Sequence, residues 1–290
     1  MQTLTDYCRK TFGKKLYKLS LDGGFTCPTR DGTKGTGGCV FCDGGSGDFC
    51  GRGRTLDEQI ADAKKRVEGK SKNAGFIAYF QRFTGTYAPV QYLRALYTEV
   101  IRRDDIDVLD IATRPDCLGD EVLDLLEELN RIKPVWVELG LQTTKEESIA
   151  YIRRGYGNEV FAKAVDALRA RGIYVIVHLI LGLPGETVED MRASLQYAVD
   201  AGADGVKLQL LHVLEGTDLA EDYKAGKFQT LSFEDYLDLL KKLLPLIPDG
   251  VTVHRLTGDG NKARLIAPLW SGDKKRVINA VNRLVAELGA

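Results

Sequence analysis

Three cysteines in one glycine-rich segment are the residues of this sequence best suited to metal chemistry. Cys27 is followed by eleven residues and then by Cys39, and Cys42 comes three positions later. Thiolates this close in sequence converge easily on one metal ion or one iron–sulfur cluster. Three protein ligands leave one iron of a four-iron cluster open, and that open position is where a reactant can bind.

The same segment allows a zinc site as the alternative. Zinc binds four thiolates readily, and Cys50 would supply the fourth. An auxiliary cluster would need Cys8, Cys50 and Cys117 to come together, whereas Cys117 is predicted to be a small buried hydrophobic residue. We therefore favour a single iron–sulfur cluster on the three cysteines of the glycine-rich segment.

The composition is that of an ordinary globular protein. Of its 290 residues, 44% are hydrophobic and 28% are charged, and the formal net charge is −1. A chain this close to neutral does not bind nucleic acid through its overall charge. Local basic runs remain, and each is predicted first as a solvated face. These runs are Arg9–Lys18, Arg52–Arg54, Lys64–Arg66 and Lys274–Arg276.

Neither a secretory leader nor an apolar run of membrane-spanning length is visible in the sequence. The chain is therefore predicted to be cytoplasmic, and thiols stay reduced in that compartment. Cysteines of such proteins serve metal binding or catalysis more often than disulfides. Five of the six cysteines fall within the first fifty residues, which agrees with a metal site.

Short apolar runs alternate with amphipathic stretches along most of the chain. The runs are rich in β-branched and aromatic residues, which favours strands, and the stretches between them favour helices. The predicted strands are Lys18–Leu21, Gly75–Gln81, Val108–Thr113, Val135–Gln142, Tyr174–Gly182 and Gly205–Val213. The predicted helices are Leu56–Val67, Val90–Arg102, Asp120–Asn130, Glu159–Arg171, Thr187–Ala201 and Phe233–Leu244.

This alternation predicts an α/β fold with a parallel sheet covered by helices. Six strand–helix units fit a partial (β/α)6 TIM-like barrel over residues 18–215, and a doubly wound open sheet is the alternative. We predict a short N-terminal cap over residues 1–17 and a C-terminal α/β extension over residues 216–290. Loops that follow barrel strands build active sites, so the cysteine segment is predicted to lie at the barrel mouth.

With the cysteines placed after the first barrel strand, the sequence resembles the radical S-adenosylmethionine (SAM) superfamily. Its first gap of eleven residues, longer than the superfamily's common gap, is similar to that of the YhcC/YtqA-type, Elp3-related branch. Matching segments occur in order along most of the chain and at predicted strand ends. They are Tyr79–Gln81, Thr113–Asp116, Glu138–Gln142, Arg153–Gly155, Leu181–Thr187 and Ala267–Trp270.

The resemblance implies two cofactors and a mechanism. Cys27, Cys39 and Cys42 would hold a [4Fe–4S] cluster, and its open iron would bind the amino and carboxylate groups of SAM. Reductive cleavage of SAM would give a 5′-deoxyadenosyl radical that removes hydrogen from the substrate. In such enzymes the cofactors supply the difficult chemistry, and the protein supplies binding and orientation.

The resemblance also implies contacts to SAM from the strand ends. Gln142 and Arg154 match a pair that holds the SAM ribose and carboxylate, and arginine suits a carboxylate because its planar fork binds bidentately. Glu138 interrupts an apolar strand, where a carboxylate without a partner is costly, so it is predicted to lie in a pocket. The other predicted SAM contacts are Tyr79, Phe80, Gln81, Thr113, His178, Leu181 and Gly182.

Candidate substrate residues follow the later strands. Lys207 and Gln209 alternate with Leu208 and Leu210 in the sixth predicted strand, so one of the two pairs points into the barrel. The further candidates are Tyr87, His212, Glu215, His254 and Arg255.

The branch also implies a substrate. YtqA-like members are associated with modification of the wobble uridine side chain of tRNA, so tRNA is the predicted substrate and partner. The basic residues of Arg9–Lys18 and Arg52–Arg54 are predicted near the barrel mouth. A one-electron donor such as flavodoxin or ferredoxin is implied as well. The alternatives are a radical SAM enzyme that acts on a small metabolite or peptide, and a zinc-stabilised nucleic-acid-binding module without catalysis.

Overall fold

A curled sheet of eight parallel strands is the framework of the protein in the computed structural model, which describes residues 1–44, 54–69, 73–258 and 260–289. The strands in these ranges are β1 (Gln2–Thr3), β2 (Leu16–Leu21), β3 (Gly75–Phe80), β4 (Val108–Thr113), β5 (Val135–Gln142), β6 (Tyr174–Leu181), β7 (Gly205–Leu210), β8 (Val213–Leu214), β9 (Thr252–Arg255) and β10 (Leu265–Ala267). Their order in the sheet is β1-β9-β7-β6-β5-β4-β3-β2, and β8 pairs separately with β10 in antiparallel fashion.

Helices connect the strands. They are α1 (Leu4–Phe12), α2 (Leu56–Lys65), α3 (Val90–Ile101), α4 (Asp120–Asn130), α5 (Glu146–Tyr151), α6 (Asn158–Arg169), α7 (Val188–Asp200), α8 (Asp218–Lys224), α9 (Phe233–Leu243) and α10 (Lys274–Glu287). Short 3-10 helices occupy Pro115–Cys117, Leu244–Leu246 and Leu269–Gly272. Within the described ranges, no helix has both the length and the apolar character needed to span a bilayer.

The six barrel strands β2 to β7 confirm the predicted partial barrel. β2 to β7 pair in parallel, each with the next along the chain. The outward-facing strand residues form one core with the covering helices, where for example Leu109 and Val137 share a cluster with Leu123. The inward-facing residues instead surround a cavity. A doubly wound sheet would bury both faces under helices, so that alternative is wrong.

Strand bounds were predicted best where both faces of a strand are buried. β4 and β5 have the predicted bounds, and all six residues of β4 are buried. Strands covered on both sides read as continuous apolar runs, which makes their ends visible in sequence. The sheet also includes β9 and β1, which the sequence did not assign to it; β9 joins β7 to β1.

Local sequence signals explain where several helices begin and end. Thr55 and Thr187 each accept a hydrogen bond from the third helical N–H of α2 and α7, and the acidic residue there bonds back to form a capping box. Gly172 follows α6 with φ 65°, a left-handed conformation that ends a helix at low cost for glycine. The two capping boxes fix helix starts at the carboxyl edge of the sheet, where the site residues lie, and Gly172 ends α6 just before β6 begins at the opposite edge.

The amino-terminal end of the barrel is closed by α1. Tyr7 packs on Tyr174 and Trp136 with ring centroids 5.1 and 5.9 Å apart, and Cys8 is fully buried beside them. Strand residues at this end form an apolar layer with α1. The exposed residue Arg9 therefore lies at the end opposite the cysteine segment, and the prediction that Arg9–Lys18 lies near the barrel mouth is wrong.

Candidate active site

A cavity of about 430 Å³ opens at the carboxyl ends of the barrel strands. Its volume is in the usual range for sites that hold small molecules. Each of the strands β2 to β7 contributes to its walls, together with the cysteine segment and the loop after β9. The polar and cysteine side chains discussed below that line it are Cys27, Cys39, Cys42, Tyr79, Gln81, Thr113, Glu138, Gln142, Arg154, His178, Lys207, Gln209, His212 and Arg255.

The three predicted metal ligands, Cys27, Cys39 and Cys42, all line this cavity as free thiols. A turn joins the last two, because the Cys42 N–H donates to the Cys39 carbonyl over 2.9 Å. The segment is held to the barrel at Val40, whose N–H donates to Ile152 O and whose carbonyl accepts from Leu219 N. The fold therefore presents the three thiols at one cavity wall.

Burial favours the protonated form of the Cys39 and Cys42 thiols, because it raises the pKa of both. Desolvation, with the nearby Cys42 thiol, raises the pKa of Cys39 to about 12, and burial also raises the pKa of Cys42. Metal binding must therefore release their protons. Among the described residues, no three His, Cys, Asp or Glu side chains converge on one point as a single ion requires. Thiolates that bind different irons of one cluster need not converge in that way.

The cavity floor is a layer of charged side chains around Glu138, which is fully buried. Lys18 Nζ lies 2.6 Å from Glu138 Oε1, and Lys207 Nζ lies 2.5 Å from the carboxylate. Tyr79 OH and His178 Nε2 approach Oε2 at 2.5 and 2.7 Å. Both ammonium groups also lie over the Tyr79 ring, 4.3 and 4.6 Å from its centroid. We call these five residues and Asp110 the ionic layer.

Opposing charges determine which groups of the ionic layer are ionised. Burial acts to raise the pKa of Glu138, but Lys18 and Lys207 outweigh it and hold that pKa well below its ordinary value. Burial, with the charge of Lys207, lowers the pKa of His178 to about 4. At neutral pH His178 is thus neutral, and its Nε2 donates to the Glu138 carboxylate. Its Nδ1 then accepts from Gln209 Nε2 over 3.1 Å.

Two members of the ionic layer, Lys18 and Asp110, were not predicted from the sequence as site residues. Lys18 was assigned to a solvated basic run, yet it points into the barrel and also binds Asp110 Oδ2 over 2.5 Å. Burial and the charge of Glu138 raise the pKa of Asp110 to about 7, against the opposing effect of Lys18. The sequence does carry a signal for Asp110, because this residue interrupts the apolar strand β4 as Glu138 interrupts β5.

Gln142 lies where β5 leaves regular geometry. Its φ is 66°, and the pairing register between β5 and β6 shifts between Gly140 and Gln142. The side chain lines the cavity, and its Oε1 is buried without a hydrogen-bond partner among the described atoms. A buried acceptor without a partner is costly, so this oxygen is set up to receive a donor from a bound molecule.

Arg154 lines the cavity, but most N–H donors of its guanidinium already bond to oxygen atoms of the protein. Its Nη1 donates to the carbonyls of Leu141 and Thr143 over 2.6 and 2.7 Å, and its Nε donates to Tyr156 O. Its Nη2 donates to Asn158 Oδ1, and the guanidinium stacks on the Tyr156 ring. In this structure Arg154 fixes the end of β5, and with it the position of Gln142.

The other predicted SAM contacts divide into two groups. Gln81 and Thr113 line the cavity, as do Tyr79, Glu138 and His178 of the ionic layer. Phe80, Leu181 and Gly182 are not among the residues that line it, because the side chains of Phe80 and Leu181 face the outer core. Strand alternation explains this difference, since successive residues point to opposite faces.

The candidate substrate residues divide in the same way. Lys207 and Gln209 point into the barrel, as one predicted alternation required, and His212 and Arg255 also line the cavity. The remaining three do not line it, because each is engaged elsewhere. Tyr87 OH bonds Thr33 Oγ1, Glu215 pairs with Lys224, and His254 packs against Trp136.

The remaining cysteines give no described partner for a second cluster. Cys8 is buried at the amino-terminal end of the barrel, beside α1. Cys117 follows β4 at the opposite end; it was predicted to be a small buried hydrophobic residue, and the structure shows it half-buried beside Asp116. Cys50, the proposed fourth zinc ligand, lies outside the described residues.

Comparisons with protein families match nearly the whole chain. The family described as "Radical SAM superfamily" matches residues 32–198, and the "Radical_SAM C-terminal domain" matches residues 203–287. Protein YtqA of Bacillus subtilis (strain 168) is 44% identical over 290 residues, which cover 99% of this chain and 90% of that protein. Protein YhcC of Escherichia coli (strain K12) is 37% identical over 282 residues, which cover 97% and 90%.

More distant similarity extends to proteins with a stated activity. The tRNA uridine(34) acetyltransferase of Methanocaldococcus jannaschii is 30% identical over 154 residues, which cover 52% of this chain and 28% of that protein. A solved structure of Elp3 from Methanocaldococcus infernus superimposes with a TM-score of 0.67 at 18% identity. The superposition covers 93% of this chain and 63% of the Elp3 chain. This likeness concerns the fold alone.

The superfamily match implies a [4Fe–4S] cluster and SAM, and the cavity fits both groups. Three cysteine thiols lie at one wall of the cavity. This number matches a four-iron cluster in which one iron has no protein ligand and can bind a small molecule. In the same cavity, the buried Gln142 Oε1 lacks a partner within the described residues, as expected of a contact reserved for a ligand. The donor set and the orphaned acceptor together make this cavity the candidate active site.

Proposed function

The chain belongs to the radical SAM superfamily, and from that premise we propose that its substrate is the side chain of the wobble uridine in tRNA. The superfamily works with a [4Fe–4S] cluster and SAM, so catalysis by this chain depends on both groups. The alternative of a zinc-stabilised module without catalysis is excluded by this membership.

One observation carries the choice of substrate. A protein named for its action on tRNA uridine 34 shares 30% identity with this chain over 154 residues. These residues are only 28% of that protein, so its acetyl transfer is not extended to this chain. Radical chemistry is supported separately, because the superfamily model matches residues 32–198 of this chain. We therefore propose the same nucleoside as the substrate of this chain, and we do not propose acetyl transfer.

The residues that would hold the cofactors follow from the cavity walls. Cys27, Cys39 and Cys42 would bind the cluster, and Gln142 would accept a hydrogen bond from SAM through its orphaned Oε1. Gln81 and Thr113 would complete the SAM site, and Arg154 would position Gln142 from behind. When bound, the cluster and SAM supply hydrogen-atom abstraction from a substrate C–H bond.

The protein's own contribution is a dry, charged floor beneath the reactants. Four donors converge on the Glu138 carboxylate, from Lys18, Tyr79, His178 and Lys207, and this fixes their positions. The apolar layer with α1 closes the barrel below them and keeps bulk water from that end. A site without water protects a reactive intermediate from side reactions. Gln209 and Arg255 reach the cavity from the substrate side of the floor.

Electrons must reach the cluster from outside the chain. A reduced flavodoxin or ferredoxin is the proposed one-electron donor, and either would dock near the cysteine segment at the cavity wall.

The test is nucleoside analysis of tRNA by mass spectrometry in a strain that lacks this gene. We expect loss of the modified wobble uridine and accumulation of its precursor. The wild-type gene restores the profile, and the Cys39→Ala variant does not. An unchanged wobble-uridine profile, in a strain with no second enzyme for the step, would remove tRNA as the substrate and leave a small metabolite or peptide.

A further inference from the structure

Gln209 stands between the ionic layer and the mouth of the cavity. It is the fifth residue of β7 and lines the cavity, whereas its neighbours Leu208 and Leu210 pack in the outer core. Lys207 of the ionic layer precedes it by two residues on the same face of the strand. Gln209 therefore lies about 6–7 Å nearer the carboxyl ends of the strands than that layer.

The ionic layer fixes which end of the Gln209 amide turns away from it. The charged Glu138 carboxylate only accepts hydrogen bonds, so His178 Nε2 is the donor across the 2.7 Å between them. The other nitrogen of the neutral ring, Nδ1, is then an acceptor, and it accepts from the NH2 end of Gln209 over 3.1 Å. This relay of two hydrogen bonds directs the amide oxygen of Gln209, Oε1, away from His178.

The Oε1 atom of Gln209 has no hydrogen-bond donor in the part of the chain that the structure describes. The hydrogen bond that the side chain makes there runs from Nε2 to His178. Its partner in the strand register is Ile180 of β6, which also lines the cavity and whose side chain carries no donor. An open acceptor in a cavity calls for a donor from a bound molecule. Gln209 therefore presents an acceptor of fixed direction to whatever enters above the ionic layer.

A uracil ring supplies the matching donor. Its N3–H lies on the Watson–Crick edge, between two carbonyl oxygens that only accept. Enzymes that take a base out of its strand read that edge through hydrogen bonds in the active-site pocket. In cytosine N3 carries no hydrogen, so two acceptors would face each other at Gln209. An acceptor at this place thus distinguishes uridine from cytidine.

We propose that Gln209 determines the base specificity of the site, with its Oε1 accepting a hydrogen bond from N3–H of the wobble uracil. His178 is the positioning residue, because both of its ring nitrogens are bonded within the protein and it acts on the base through the Gln209 amide. This inference rests on the proposed tRNA substrate. It adds the atom of this chain that reads the base.

The test compares two fluorescent anticodon stem-loop RNAs that differ only at the wobble position. One carries uridine there, and the other carries 3-methyluridine, in which a methyl group replaces the N3 hydrogen. Anisotropy titrations of the full-length holoenzyme give the two dissociation constants and their ratio. The variant is Gln209→Ala, which removes the acceptor and leaves space for the methyl group. The matched control is Gln196→Ala, which truncates an exposed glutamine of α7.

We expect the wild-type enzyme to bind the uridine RNA about tenfold or more tightly than the 3-methyluridine RNA, because a site built to bond a donor rejects the analogue that lacks it. Gln209→Ala brings the ratio close to one, and Gln196→Ala keeps the wild-type ratio. A partly unfolded sample weakens the binding of both RNAs alike, so the ratio does not respond to a general structural defect. A wild-type ratio in Gln209→Ala would overturn the proposal.

A third RNA, with cytidine at the wobble position, tests the role of His178. We expect the wild-type enzyme to prefer uridine over cytidine about tenfold or more. In His178→Ala the Gln209 amide loses its partner and can turn its NH2 end to the base, so this preference falls about threefold or more. An unchanged preference in His178→Ala would refute the positioning role.

A hydroxyl group of SAM is the competing donor for Gln209 Oε1. Equilibrium dialysis of SAM without RNA separates the two ligands. If Gln209→Ala weakens SAM binding and leaves the RNA ratio unchanged, the acceptor serves SAM and the proposal is wrong. Failure of the substrate itself gives a different result. A wild-type enzyme that binds none of the RNAs removes the tRNA substrate, whereas equal binding of the uridine and 3-methyluridine RNAs removes only the role of Gln209.

Discussion

At the scale of single residues, Glu138 organises the floor of the site. A fully buried carboxylate is tolerable only with partners, and here two ammonium groups, a phenol and an imidazole supply them. Its pKa stays well below the ordinary value although burial alone would raise it. The carboxylate is therefore charged at neutral pH, and its partners are fixed around it.

Removal of this charge tests whether the ionic layer acts as one unit. In Glu138→Gln, Lys207 loses its charged partner in a buried position, so the free energy of unfolding falls by about 3–5 kcal/mol. Urea titration of the cluster-free protein measures the loss. The matched change Glu128→Gln removes the exposed partner of Arg94 and leaves the titration midpoint where it was. Equal midpoints for the two variants would contradict the structural role of the layer.

At the scale of elements, α1 closes the end of the barrel that lies beneath the ionic layer. Its Tyr7 and Cys8 pack into the apolar layer formed by the first residues of several strands. Charged groups near that end can keep a low exposure to water only while this helix stays in place. The helix is thus part of the site although it lies at the far end from the cysteines.

Tyr7→Ala is expected to lower the free energy of unfolding by about 2 kcal/mol, because a half-buried aromatic ring is lost from contact with Trp136 and Tyr174. Thermal or urea unfolding of the cluster-free protein provides the measurement. Arg9→Ala, an exposed position on the same helix, serves as the control. If both variants unfold alike, α1 does not seal the barrel.

The elements also show what sequence can and cannot predict. β4 and β5 were predicted with their observed bounds because a strand buried on both faces is a continuous apolar run. β9 and the two-residue β1 were not assigned to the sheet, since β9 joins it by pairing with β7 and β1 joins it by pairing with β9, about 250 residues away in the chain. Short strands of this kind carry too few residues for a periodic signal.

The candidate site was predictable to a similar degree. The cysteines, Glu138 and Gln142 stood out because each is an unusual residue type at a predicted strand end or inside an apolar strand. Lys18 did not, because it follows other basic residues and the pairing with Glu138 spans 120 positions. The sequence shows which charges interrupt a strand, and only the folded barrel shows which of them meet.

At the scale of the whole molecule, the barrel separates three tasks along its axis. α1 and an apolar layer close one end, the ionic layer forms the floor, and the cysteine segment with the open cavity forms the other end. The C-terminal extension adds β9 to the sheet and Arg255 to the cavity wall. This arrangement would hold the cofactors inside the cavity and leave its mouth for the proposed tRNA substrate.

The most direct test of the account is the cofactor content and SAM cleavage of anaerobically purified protein. We predict about four irons and four acid-labile sulfides per chain, with reductive cleavage of SAM. The Cys39→Ala variant loses both, whereas Cys117→Ala, a thiol outside the three-cysteine wall, retains them. Stoichiometric zinc without iron and sulfide, or SAM cleavage that persists unchanged in Cys39→Ala, would contradict the account.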